Sequence, residues 1–124
     1  MARILVVDDD EQVRVMLRQM LSRMDHEVID VDNGDDAILE YRKEPTDLII
    51  MDLIMPDKEG IETITELRRE FPDANIVAMS GGGRIGPNNY LELASKLGAK
   101  RTLTKPFDLN DIREAITAVL GDEV

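Results

Sequence analysis

Cysteine is absent from the 124-residue chain, which removes disulfides, thiolate zinc sites and thiol nucleophiles from consideration. That absence fits a reducing compartment. No apolar stretch approaches the roughly 18 residues that suggest a membrane-spanning helix. Met1-Ala2-Arg3 runs straight into a short apolar segment, without the architecture of a signal peptide. A soluble, cytoplasmic protein with no membrane partner is expected. Positive charge is scarce too: 15 Lys and Arg face 26 Asp and Glu, for a formal net charge of -11. Such a field repels a phosphate backbone, so no nucleic-acid partner is expected. The single histidine, His26, lies in a helix-to-strand turn with no neighbouring motif to make it a phosphodonor, and it reads as structural. Linkers, internal repeats and low-complexity segments are also missing, and the length suits one domain over 1–124.

What is present is an alternation of short apolar runs with longer amphipathic stretches, the pattern of βα repetition around a parallel sheet. Strands are predicted at 3–7, 27–31, 47–51, 75–79 and 101–104, the second of them less buried. Helices are predicted at 11–24, 35–43, 61–70, 88–97 and 109–120. Asp10 and Asp108 suit the N-cap positions of the first and last helices. Gly98 suits a left-handed turn after the helix at 88–97. Val13, Leu17, Met20, Leu21 and Met24 form one helical face, and Met16, Met20 and Met24 read as packing.

The polar residues that end the apolar runs carry the chemistry. Asp8 and Asp9 follow Ile4-Leu5-Val6-Val7, Asp52 follows Leu48-Ile49-Ile50-Met51, Ser80 follows Ile76-Val77-Ala78-Met79, and Lys105-Pro106 follows Thr102-Leu103-Thr104. In a parallel sheet all five polar side chains gather at the carboxyl edge, where open α/β sheets hold their ligands. Clustered acids disfavour joint ionisation, and a hard divalent cation such as Mg²⁺ relieves this with oxygen coordination. An aspartate can also act as a nucleophile toward phosphorus, provided that a cation and donors hold the phosphoryl oxygens. Taken singly, the acids fit helix caps and turns, and Ser80 fits an ordinary loop residue. Taken together they fit a site for a divalent cation and a phosphoryl group. Pro106 holds the backbone of Lys105 extended and permits a cis peptide bond before it.

Four segments in this order resemble the receiver domain of two-component response regulators: Ile4 to Asp9, Met51 to Pro56 with Gly60, Met79-Ser80-Gly81, and Thr104-Lys105-Pro106-Phe107. The resemblance covers the chain from end to end. It implies a flavodoxin-like (βα)5 doubly wound parallel sheet with strand order 2-1-3-4-5. It implies that Asp52 accepts a phosphoryl group from a phosphohistidine on a histidine kinase or phosphotransfer protein. Asp9 and Asp52 would ligate Mg²⁺ directly, with the Ile54 backbone carbonyl as a third ligand and Asp8 acting through water. Ser80 would hydrogen-bond the phosphoryl group and Lys105 would pair with it. The surface around the helix at 88–97 and the strand at 101–104 would then switch and signal to a protein partner in trans. A homodimer through the same region is a further expectation, as is a phosphoacceptor with autodephosphorylation chemistry rather than a turnover enzyme.

The chain departs from the family pattern in three places. Thr102 stands where an aromatic is usual, three residues before the lysine. The stretch from Ser80 to Gly98 is longer than usual and glycine-rich, so residues 81–90 are expected to carry the signal in the aromatic's place. Ile54 and Gly82, each two residues beyond Asp52 and Ser80, offer no polar side chain to orient an attacking water, which predicts a long-lived acyl phosphate. Gly81 to Gly86 spell G-x-G-x-x-G, but at the fourth strand and directly before Pro87, which argues against a dinucleotide site. Two rivals to the phosphoacceptor remain. A binding module without phosphorylation would not need the acids, Ser80 and Lys105. An aspartate phosphatase would commonly carry a second acid where this chain has Ile54.

Overall fold

The computed structural model describes residues 1–53, 60–80, 92 and 94–121. In chain order they form β1 (Arg3–Val7), α1 (Glu11–Arg23), β2 (Glu27–Val31), α2 (Gly34–Lys43), β3 (Leu48–Asp52), α3 (Gly60–Glu70), β4 (Ile76–Ser80), β5 (Arg101–Thr104) and α4 (Leu109–Leu120). Glu92 and Ala94–Lys96 are also helical, within the helix expected at 88–97. The strands pair in parallel in the order β2-β1-β3-β4-β5. The flavodoxin-like expectation therefore holds.

The period-two alternation of strand side chains sorts the core into two layers. Leu5, Val7, Ile49, Met51, Ile76 and Ala78 face α2 and α3. Ile4, Val6, Leu48, Ile50, Val77 and Met79 face α1 and α4. Because β1, β3 and β4 are covered on both sides, their sequences read as continuous apolar runs. Each fully buried aliphatic side chain contributes about 1.5–3 kcal/mol. Edge strand β2 is only partly buried, as expected. Ala37, Ile38 and Tyr41 point inward from α2, and the Tyr41 ring meets Phe71 edge to face at 4.9 Å.

Local chemistry sets the helix ends. Asp10 accepts the Gln12 N–H, and Asp108 exchanges hydrogen bonds with Asp111 in a capping box. Asn33, not anticipated from sequence, caps α2 by accepting the Asp36 N–H. Gly98 has φ +116°, and a Cβ there would stand 2.6 Å from the Arg68 side chain. Two strands end one residue later than expected. Asp52 pairs in register with Met79, and Ser80 with Thr104, so the sheet ladder carries both polar residues. His26 is structural, as expected: its Nδ1 accepts the Ala2 N–H at 3.0 Å.

Candidate phosphoryl and metal site

β1 and β3 lie side by side, so the turn after Val7 and the end of Asp52's strand open on the same crevice. Asp8 is fully buried, Asp9 is exposed, and Asp52 is 4% exposed. One carboxylate oxygen from each of the three acids lies within 4.8 Å of the others. Asp8 directly follows the doubly covered strand β1, whereas Asp9 stands one residue further out in the turn, which explains their opposite exposures.

Lys105 closes the crevice from the end of β5. Its Nζ donates to Asp8 Oδ2 at 2.8 Å and lies 3.4 Å from Asp52 Oδ1. The second distance is long for a hydrogen bond, so that contact is chiefly charge attraction. The Lys105 N–H donates to the Ser80 carbonyl at 2.8 Å, and the Lys105–Pro106 peptide is cis. Ser80 is fully buried at the end of β4. The fold thus brings Asp8, Asp9, Asp52 and Lys105 together and sets Ser80 on the strand between β3 and β5. Ile54, Gly82 and the loop 81–90 lie outside the described residues. Thr102 is exposed on β5, in register with Ala78.

Electrostatics follow from this burial. Desolvation, together with the charges of Asp8 and Asp9, pushes the Asp52 carboxyl up to about 7 in spite of the opposing lysine. Burial opposes the charge on Lys105, but its hydrogen bond to Asp8 and the charges of Asp52 and Asp8 outweigh it and raise its pKa. Such a pocket is short of positive charge. Three hard oxygen donors in one place fit a small divalent cation such as Mg²⁺ better than a soft metal.

The supporting roles of two residues, Arg14 and the motif glycine Gly60, were not read from the sequence. Arg14 on α1 donates to the Asp8 carbonyl at 2.9 Å and to Asp30 Oδ2 at 3.1 Å. Arg18, one turn on, holds the other oxygen of Asp30. These guanidinium groups keep Asp30 below the usual carboxylate range although burial works against it. The arginine therefore ties the acid-bearing turn to both α1 and β2. Its i, i+4 spacing with Arg18 was legible, but the placement of Asp30 opposite that face was not. Gly60 is the other residue. A Cβ there would stand 2.0 Å from the Asp52 carbonyl oxygen, because α3 starts directly against the end of β3. Its N–H donates to the Leu53 carbonyl at 3.0 Å.

The model of the response regulator receiver domain family matches residues 4–117. The chain belongs to that family. It is 33% identical over 118 residues to the chemotaxis protein CheY of Halobacterium salinarum, covering 95% of this chain and 96% of that protein. The crystal structure of chemotaxis protein CheY4 from Vibrio cholerae superposes with a TM-score of 0.86 at 27% identity, over 97% of this chain and 99% of the other. The structure of NtrX from Brucella abortus gives a TM-score of 0.88 at 26% identity, but there the match spans only 26% of the longer protein. This receiver domain is therefore CheY-like in sequence and extent of match. Receiver domains bind Mg²⁺ at an acidic pocket, and this chain gathers three acids, Asp8, Asp9 and Asp52, in one crevice. They work with histidine kinases and downstream targets in two-component systems. Among the described residues no helix is long and apolar enough to cross a membrane.

Proposed function

We propose that Asp52 accepts a phosphoryl group from a phosphohistidine on a histidine kinase or phosphotransfer protein. A carboxylate oxygen of Asp52 attacks phosphorus, the P–N bond breaks, and the leaving imidazole nitrogen keeps the electron pair and takes up a proton. The observation that carries this reading is the position of Asp52: nearly buried at a strand end, with two further carboxylates within 4.8 Å and the Lys105 amine at 3.4 Å. Asp9 and Asp52 would hold Mg²⁺ directly. Both oxygens of Asp8 already accept hydrogen bonds, from the Asp10 N–H and Lys105 Nζ, which supports a role for Asp8 through water. When bound, the ion supplies the positive charge that screens the phosphoryl oxygens. Lys105 releases Asp8 and pairs with the incoming phosphoryl group, and the Ser80 hydroxyl donates to it.

The product is a phosphorylated switch and not a turnover enzyme. Its surface around β5 and the preceding helix signals to a protein partner in the cytoplasm, with a homodimer through the same region as one form of output. The CheY relatives, matched over nearly their full length, favour action in trans.

Intact mass after incubation with acetyl phosphate and Mg²⁺ tests the reading. Wild type gains one phosphate and Asp52→Asn gains none. Rapid phosphate release with no adduct that accumulates would reassign the chain to the phosphatases. No adduct and no release would leave a binding module that acts without phosphorylation.

A further inference from the structure

The opposite end of the sheet carries a cleft of different chemistry. About 340 Å³ opens between the last turn of α1 and α4, with Arg23, His26, Arg113 and Thr117 on its walls and Met24 and Ile116 beneath. Among the described residues no carboxylate lines it; Asp122 and Glu123, which follow the lining residue Gly121, lie outside them. The groove beside β5 differs, since Asp111 and Glu114 accompany its Arg101. Arg3, Arg14, Arg18, Arg42 and Arg101 each meet a carboxylate. Neither Arg23 nor Arg113 forms an ion pair or side-chain hydrogen bond with the described residues. Arg69 is also exposed and without an ion pair among the described residues, but Arg23 and Arg113 stand on one cleft, where their charges can act together on an anion.

His26 adds an independent observation. It is 8% exposed, and its Nδ1 is occupied by the Ala2 N–H. The neutral ring therefore carries its proton on Nε2, a donor left for a ligand. Asp25, next to it in sequence, does not line the cleft.

We propose that this cleft binds a compact oxoanion of the phosphate class. The planar guanidinium forks of Arg23 and Arg113 hold it, and His26 Nε2–H and the Thr117 hydroxyl donate further hydrogen bonds. A compact dianion is favoured over an extended polyanion because the acidic remainder of the surface repels nucleic acid and anionic membranes. The site is separate from Asp52, since β1 runs between Ala2 at this end and Asp8 at the other, a path of roughly 20 Å. It does not depend on the phosphoacceptor reading.

Proton–nitrogen NMR on the full chain without Mg²⁺ tests the proposal, with inorganic phosphate and pyrophosphate added separately. Saturable shifts of the Arg23 and Arg113 Nε–H signals and of the His26 ring are expected, with a Kd on the order of 1 mM or tighter. Arg113→Gln should weaken binding at least about fivefold, whereas Arg42→Gln should leave it unchanged. Both cleft arginines are exposed, so their variants keep the core intact. Shifts that stay linear to roughly 20 mM, or equal shifts at Arg42, overturn the proposal. So does unchanged affinity in the Arg23→Gln, Arg113→Gln double variant. Phosphate silence with binding to anionic lipid vesicles would replace it with a membrane contact.

Discussion

The two ends of the sheet make opposite use of charge. At the carboxyl end, three acids converge around one lysine, and burial raises the cost of every charge. At the amino end, two arginines flank a cleft that no acid among the described residues lines. Parallel strands are the reason for the first arrangement. They bring the last residues of β1, β3, β4 and β5 to one edge, so polar residues far apart in sequence accumulate there. The second arrangement is made by helix surfaces, with the last turn of α1 supplying Arg23 and the body of α4 supplying Arg113. A site built from strand ends is rigid and partly desolvated. A site built from helix surfaces is exposed and adjustable.

The largest expected break in this contrast is Gly60→Ala. The added Cβ meets backbone at 2.0, 2.6 and 2.8 Å, which no side-chain motion relieves. Stability should fall by upwards of about 3 kcal/mol in urea titration, and phosphorylation of Asp52 should fall with it. If Gly60→Ala matches wild type in both, the contact between α3 and β3 does not set the site.

Asp52→Asn should act in the other direction. The Asp52 carboxyl is raised to about 7 in the folded chain, above its ordinary value of 3.8. Folding thus favours the protonated acid, and the stability this contributes is present below about pH 4 and lost as pH rises through about 7. In Mg²⁺-free buffer at pH 8 the variant should be more stable by about 4 kcal/mol, and the gap should close near pH 4. A gap of constant size across that range would mean that Asp52 is ionised at no cost.

Arg14→Gln sharpens the comparison by loosening the acid-bearing turn while leaving every acid in place. A loss of about 1–2 kcal/mol and a severalfold weaker Mg²⁺ affinity are expected, with the same final extent of phosphorylation. Unchanged Mg²⁺ affinity would confine Arg14 to holding α1 against β2. At the amino end, His26→Phe should cost about 1 kcal/mol by stranding the Ala2 N–H. Its phosphorylation rate should match wild type; a slower rate would show that the two ends are coupled. The smallest effect is kinetic. Ile54→Asn or Gly82→Glu should shorten the acyl-phosphate lifetime severalfold without changing stability, and unaltered decay would remove those two positions from control of the lifetime.

The sequence already contained the fold in legible form, because buried parallel strands need apolar runs and the amphipathic stretches between them need a helical period. Asp8, Asp9, Asp52 and Lys105 were legible for a related reason: a polar residue that ends a buried run stands at the sheet edge. The strand ends themselves were less clear. Asp52 and Ser80 look like loop residues by type, yet the hydrogen-bond ladder extends through both.

Periodicity was enough to determine the fold class, the resemblance carried by four motifs gave the family, and the ends of the apolar runs gave the residues that gather at the sheet edge. Only the tertiary structure decided that Arg14 braces Asp8, that Gly60 abuts the Asp52 carbonyl, and that Arg23 and Arg113 share a cleft with His26. The physical reason lies in what each contact depends on. Strand ends and helix faces repeat with fixed periods along the chain, so they can be counted. A guanidinium reaching across to a neighbouring strand, or a helix start pressed on a carbonyl, depends on how elements pack, and no local period records it.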